Sequence, residues 1–240
     1  KKIPLVLWIL DLWPDTLADL NYFKKDGFIF RLMDWLSGWI YHKTDVILVQ
    51  SEAFKLSIKR SCKEEKKVIF RPNWAESIFQ KEFNKKSLSV RASENKGLHI
   101  LFAGNIGAAQ DFNSIIKAAS ILIKENKHHY WHIFGDGSEM DRLATIVKRD
   151  KLSSNFIFHG VYPLESMPFL FQSADALLIT LSGGEAFKKT IPGKLQSYMS
   201  SGKPILSMAD GETNKIVKES KCGLIAPSGD YDLLAENVKK

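Results

Sequence analysis

The chain has 240 residues, of which 45% are hydrophobic and 11% aromatic, enough to bury one large core or two small ones; this excludes a disordered chain. The two cysteines, Cys62 and Cys222, have no metal-like spacing, which excludes a disulfide framework and fits a reducing, cytoplasmic setting. The net charge of +7 suits an anionic partner such as nucleic acid, a membrane surface or a phosphorylated ligand, and a lysine-rich surface explains it equally well. Much of that charge lies in residues 63–67 and 81–96, which lack the aromatic interleaving of a nucleic-acid platform, so no nucleic-acid partner is expected. No apolar run reaches the roughly 18 residues needed to span a bilayer as a helix. The sequence opens on Lys1-Lys2-Ile3-Pro4 without an initiator methionine, and its apolar run to Leu10 is too short and too poorly flanked for a signal peptide.

In chain order, residues 4–10 form a continuous apolar run that predicts a strand buried on both faces, broken by Asp11-Leu12-Trp13-Pro14-Asp15. Phe28, Leu32, Trp35, Leu36 and Trp39 fall at helical spacing and predict a helix over 28–42. A buried strand over 46–49, a helix over 52–60 and a strand over 67–70 follow, the last ended by Arg71-Pro72-Asn73 because proline cannot continue a central strand. Residues 81–97 are charged and serine-rich and read as a linker. Beyond it strands at 98–103, 130–134, 155–158, 175–180 and 204–207 alternate with helices at 111–126, 138 onward, 164–174 and 192–201, with further α/β material to the end. Ser138 is the expected cap of its helix, with Asp141 as partner. Repeated βα units imply a parallel sheet covered by helices on both faces.

In such a sheet, ligands bind at the carboxyl ends of the strands. Glycines stand at those ends: Gly104 and Gly107, Gly135 and Gly137, Gly160, Gly183 and Gly184. Each one alone reads as an ordinary tight turn, but their recurrence points to a nucleotide-type α/β domain in which backbone N–H groups approach a phosphate.

The ordered set of motifs resembles something more specific. It comprises Asp11-Leu12-Trp13-Pro14 after a strand, residues 45–51 (DVILVQS) and Pro72-Asn73-Trp74. It continues with residues 102–107 (FAGNIG), 133–137 (IFGDG), 157–160 (IFHG), Ala174-Asp175-Ala176, 190–199 (TIPGKLQSYM) and Gly202-Lys203-Pro204-Ile205. The chain is similar to family 4, or group 1, glycosyltransferases of the GT-B fold. Within that family it resembles bacterial enzymes of capsule, O-antigen and colanic acid synthesis, the L-fucosamine transferase type among them. The resemblance implies two Rossmann-like domains: residues 1–80 as the C-terminal portion of an incomplete acceptor domain, 81–97 as linker, and 98–240 as a donor domain with a parallel sheet. It implies a retaining hexosyl- or N-acetylhexosaminyl-type transferase. The donor is a nucleoside-diphosphate sugar, UDP-linked, and the acceptor a saccharide carried on lipid. No metal or other cofactor is expected.

The family's pair of glutamates falls at Lys189 and Ser197, and its usual basic pair falls near Asn105 and Gln110; none of these residues is the family's own. Donor contacts are therefore expected from Gly104, Asn105, Gly107, Gly135, Gly160, Lys189, Thr190, Lys194, Gln196 and Ser197. Lys194 is the expected substitute for diphosphate charge, with Lys188 and Lys189 able to share it; a solvated surface lysine is the plainer alternative. Asp11 is the candidate base or positioning group for the acceptor, or else a turn cap. His128, His129 and His132 lack metal-site companions and read as structural. Trp8, Trp13, Trp35, Trp39, Phe28 and Phe30 read as core, with docking of a lipid-linked acceptor or peripheral association with the inner face of the plasma membrane as the alternative. Two other functions fit the same fold: a sugar-nucleotide epimerase, separated by testing for C2 inversion rather than transfer, and a non-catalytic nucleotide-sugar-binding fragment.

Overall fold

The computed structural model describes residues 3–62, 67–80, 89–90 and 96–240, without the side chains of 60, 61 and 80. Most of the expected linker and of the two basic stretches therefore lies outside the described residues. The chain divides into two compact units. The first comprises Lys1–Asn73, Gly183–Pro192 and Gly211–Thr213, and the second Trp74–Ser182, Gly193–Asp210 and Asn214–Lys240. The division is thus not a single cut along the sequence.

In the first unit β1 (Val6–Ile9), β2 (Val46–Val49) and β3 (Val68–Phe70) form a parallel sheet in the order β1-β2-β3. Its register pairs Val6 with Val46 and Ile47 with Val68. Three helices, α1 (Asp15–Asp19), α2 (Phe28–Lys43) and α3 (Glu52–Ser61), accompany it. Ser51 caps α3 by accepting from the Phe54 N–H at 3.1 Å, which satisfies one of the amides left open at a helix start. Ile9, Leu12, Tyr41, Ile47, Val49, Phe54 and Val68 form the core, joined by Ala186.

Two expectations about this unit are corrected. β1 is not buried on both faces: Val6 is 55% and Trp8 36% exposed, because among the described residues β1 is an edge strand and only its alternate residues Leu7 and Ile9 pack into the core. The apolar stripe of α2 is not core either. Tyr41 is the only buried residue of that helix, while Phe28, Leu32, Trp35, Leu36 and Trp39 are exposed. Helical periodicity specifies a face that is able to be covered, and among the described residues this face is left open. A short helix, α1, also occupies residues that read as a break, starting directly after Pro14, where a proline costs no hydrogen bond.

The second unit carries six parallel strands. They are β4 (Leu98–Ala103), β5 (His129–Phe134), β6 (Phe156–Gly160), β7 (Ala176–Thr180), β8 (Ile205–Met208) and β9 (Gly223–Ala226), in the order β6-β5-β4-β7-β8-β9. The helices are α4 (Phe112–Lys124), α5 (Met140–Arg149), α6 (Met167–Ser173), α7 (Lys194–Ser200), α8 (Gly211–Glu219) and α9 (Tyr231–Lys239). The expected alternation and parallel sense both hold. β7 and β8 are buried at every residue, as strands covered on both faces must be. The stripe Phe112, Ile115, Ile116 and Ala119 of α4 packs against Ile100, Phe102, Ile133 and Leu178 in the main core.

Helix starts differ in detail. α5 begins at Met140 with Glu139 as N-cap and no side-chain cap bond, so Ser138 does not cap it. The helix expected from 164 opens as a 3-10 turn over Leu164–Ser166, and α6 starts with Pro168 in its first turn. Asp111 caps α4 through Ser114, taking a left-handed backbone to do so.

Candidate functional site

The strand order of the second unit reverses between β4 and β7, and an open parallel sheet forms a crevice outside the carboxyl ends of its strands at such a point. A cavity of about 530 Å³ lies there, within the range of small-ligand pockets. Ala103, Gly104 and Asn105 from the end of β4 line it, with Phe134, Gly135 and Asp136 from the end of β5. Gly193, Lys194, Ser197 and Tyr198 close a further side from α7.

Tyr198 sets the position of α7. Its hydroxyl accepts the Ala103 N–H at 2.8 Å, and burial holds the phenol well above its ordinary pKa, so it stays protonated. That anchor brings Lys194, one turn earlier on the same face, over the end of β4. The Lys194 ammonium sits 3.6 Å from the centroid of the Phe102 ring. Its Nζ is enclosed and has no hydrogen-bond partner, although part of its stem is accessible. Burial without a counter-charge lowers its pKa to about 7. A buried ammonium without an acceptor is costly, and an anion entering the cavity would relieve that cost.

Two glycines make this arrangement possible. Gly104 has φ +141°, and a Cβ there would meet Lys194 Nζ at 2.6 Å. Gly135 has φ +128°, and a Cβ there would run into the carbonyl of Gly104. Both positions therefore need glycine for the backbone conformation and for close approach.

One part of the expectation changes. The amides of the 104–107 loop are not free for a phosphate. Gly104 N–H donates to Phe134 O, Ile106 N–H to Asp136 O, and Gly107 N–H to the Gln110 side chain. Among the described residues only Asn105 of this loop keeps an amide without an acceptor. The loop also leads into a 3-10 turn over Ala108–Gln110 rather than directly into α4, and α7 has only seven residues, so no helix dipole of consequence is added. The charge at this site comes from Lys194.

The structure gathers Gly104, Asn105, Gly135, Lys194 and Ser197 into one cavity. Other predicted residues lie elsewhere. Gly107 lines a separate hollow of about 240 Å³ with Asp111, Glu139 and Arg142. Gly160 ends β6, and its carbonyl accepts from the Gly135 N–H, just before the cavity residues Val161 and Tyr162. Gln196 lies outside the lining, with its Oε1 buried and unpartnered. Lys189 and Thr190 belong to the first unit, where Ser51 Oγ donates to Lys189 O at 2.8 Å and Thr190 Oγ1 to Ala186 O at 2.9 Å. Asp11 follows β1 in the first unit; its side chain is exposed, and partial burial raises its pKa.

Residues 97–240 match the model of the family described as glycosyl transferases group 1, which is more than half of the chain. The chain belongs to the glycosyl transferases group 1 family. It is 28% identical over 238 residues to WbjE of Pseudomonas aeruginosa, described as a probable glycosyltransferase, covering 97% of this chain and 58% of that protein. It is 24% identical over 155 residues to the amylovoran biosynthesis glycosyltransferase AmsK of Erwinia amylovora, covering 64% of this chain and 38% of AmsK. Among solved structures it resembles Anabaena HepE in complex with UDP and glucose, with a TM-score of 0.73 at 17% identity, over 98% of this chain and 61% of HepE. HepE is a likeness of fold. The chain spans less than two thirds of the length of these relatives.

For a group 1 glycosyltransferase domain, several residues of the cavity were not legible in sequence. Tyr198 lies four residues after Lys194, a spacing that marks the shared helix face, but nothing local announces its bond to Ala103. Phe79 stacks on Phe171 at 5.4 Å, and Phe171 meets Tyr198 edge-on at 5.0 Å, building an apolar wall from three distant segments. Glu76 reaches the cavity from the other side and accepts from Ser197 Oγ at 3.0 Å.

The histidines form a second unexpected feature. His99 Nδ1 lies 2.9 Å from His132 Nε2, and His132 Nδ1 lies 3.0 Å from His159 Nε2, a chain of imidazoles across β4, β5 and β6. Burial, with His159 and His99 alongside, lowers the pKa of His132 to about 3. Neutral rings suit the chain, since each inner nitrogen pair needs one donor and one acceptor. His129 instead contacts Lys127 O through Nδ1 at 2.8 Å. Among the described residues no group of three or more His, Cys, Asp or Glu is arranged to hold a metal ion, and no helix is long and apolar enough to cross a membrane.

Proposed function

We propose that this chain carries the donor-binding part of a retaining glycosyltransferase that moves a hexose or N-acetylhexosamine from a UDP-sugar to a saccharide acceptor carried on lipid. The setting proposed is cell-surface polysaccharide synthesis, with the enzyme in the cytoplasm at the inner face of the plasma membrane. The observation that carries the reading is the unpartnered Lys194 ammonium in a nucleotide-sized cavity at the switch point of the sheet. Family membership supports it, as does the UDP in the HepE complex.

In the reaction, the bond from the anomeric carbon to the β-phosphate oxygen breaks and the nucleoside diphosphate leaves with the electron pair. The acceptor oxygen bonds to the anomeric carbon on the same face, and its proton passes to a base. Lys194 offers positive charge where negative charge develops on the leaving group, from an ammonium that is itself enclosed by protein. No metal is assigned to the step. Asp11 is proposed as the group that handles the acceptor hydroxyl; desolvation raises its pKa, which makes the carboxylate a better base. The exposed Trp13, Trp35 and Trp39 support a lipid-borne acceptor, because amphipathic indoles favour a bilayer interface.

Calorimetry with UDP tests the reading. Lys194→Ala is expected to weaken binding by about 1–2 kcal/mol, as for loss of a charge-assisted bond, while Lys148→Ala on α5 leaves it unchanged. Equal affinity of the Lys194→Ala protein and the wild type would remove Lys194 from the site. Release of UDP with transfer of labelled sugar, rather than inversion at C2, separates transferase from epimerase.

A further inference from the structure

We propose that Glu76 is a donor-recognition residue, its carboxylate accepting hydrogen bonds from the vicinal ribose hydroxyls of a nucleoside diphosphate whose charged end lies on Lys194. The inference rests on the donor reading above and assigns a role that neither the family motifs nor the local sequence marks.

The second position of the family's glutamate pair holds Ser197, which cannot supply a carboxylate. The fold restores a carboxylate at the same place from a segment 121 residues away, where Glu76 Oε2 accepts from Ser197 Oγ at 3.0 Å. Both residues line the cavity. Ser197 is buried, and Glu76 is exposed to the space in front of it. A carboxylate has about four lone-pair sites and Ser197 uses one, so the group keeps its acceptor capacity. No Lys or Arg pairs with it among the described residues. As a cavity-lining carboxylate it offers its remaining lone pairs to the hydrogen-bond donors of a ligand.

Electrostatics then fixes the orientation of the ligand. A nucleoside diphosphate has an anionic end and a neutral, hydroxyl-bearing ribose. Glu76 repels the first and binds the second, and Lys194 does the reverse. Lys194 and Ser197 are three residues apart on α7, which places them on one face with Cβ atoms about 5–6 Å apart. The ribose and the diphosphate of one nucleotide are separated by a comparable distance, so one helix face orders the two ends. In this scheme Ser197 is a positioning residue that aims the carboxylate.

The alternative is that Glu76 merely fastens its segment to α7. Calorimetry with UDP and 2′,3′-dideoxy-UDP separates the two, using the wild type, Glu76→Ala and Ser197→Ala, each checked for an unchanged melting temperature. The wild type is expected to bind UDP roughly ten- to a hundred-fold more tightly than the dideoxy compound, as for hydrogen bonds to a charged acceptor. In Glu76→Ala the two ligands should bind equally and weakly, and Ser197→Ala should show a smaller preference than the wild type. Glu76→Ala retaining the full preference, or a wild type with none while still binding UDP, overturns the assignment of Glu76 and leaves the donor reading standing. A wild type that binds neither nucleotide overturns the donor reading and this inference with it.

Discussion

The two units are built from the same local ingredients and differ in how far those ingredients are covered. Both have parallel strands with β-branched and leucine-rich runs, and both place amphipathic helices between them. In the second unit every residue of β7 and β8 is buried and the α4 stripe meets the sheet. In the first, β1 alternates exposed and covered positions, and α2 buries Tyr41 alone. Apolar periodicity therefore reports the capacity of a face to pack, and the presence of a covering layer decides whether burial follows. The cavity at the switch point belongs to the unit that completes its layers.

Substitutions in matched apolar positions put that contrast at greatest risk. Leu178→Ala, in the middle of the core, is expected to destabilise the second unit by about 2–5 kcal/mol, from lost transfer energy and a residual cavity. Trp35→Ala, 65% exposed, is expected to change the stability of the first by no more than about 0.5 kcal/mol. Hydrogen exchange read by mass spectrometry assigns the loss to each unit. A Trp35→Ala cost as large as that of Leu178→Ala would show that the α2 face is covered in solution.

The close packing of Gly104 and Gly135 offers an intermediate effect. Gly135→Ala should reduce UDP affinity at least tenfold, since the new Cβ collides with the Gly104 carbonyl and displaces the loop beneath Lys194. Unchanged calorimetric affinity would mean that the loop adapts and that its close packing is not needed for binding.

Acid should act on the second unit by way of the imidazole chain. The pKa of His132 falls from 6.5 to about 3 on folding, so the unfolded chain takes up a proton that the folded one refuses. Its contribution is complete above pH 6.5 and declines as pH falls toward 3, by at most about 1.4 kcal/mol per pH unit per group. Urea titrations at pH 7.5 and 5.5 are expected to show this loss, and His132→Asn to diminish it. A pH-independent midpoint would mean that the chain accepts a proton without cost.

The smallest expected change is in ligand linkage. Free Lys194, with its pKa near 7, is part-neutral at pH 7, and a bound diphosphate raises that pKa again. Binding therefore takes up a proton, and affinity falls as pH rises from 7 to 9. Calorimetry in buffers of different ionisation enthalpy measures the uptake as a fraction of one proton; release of a proton on binding would contradict the assignment.

Local chemistry in the sequence determined the strands and most helices, because their periods, caps and breakers act over a few residues. It also determined the parallel sense of the sheets, the strand-end glycines and the candidacy of Lys194, since βα alternation leaves few topologies open. Tertiary structure alone decided the rest. It left the tryptophan stripe exposed, occupied the amides of Gly104, Ile106 and Gly107 within the protein, and assigned Lys189 and Thr190 to the other unit. It also placed Glu76 on Ser197 and the Lys194 ammonium on Phe102. The reason is physical: coverage, hydrogen-bond occupancy and the pairing of charges depend on which distant segments meet, and no spacing along the chain encodes a contact made across 121 residues.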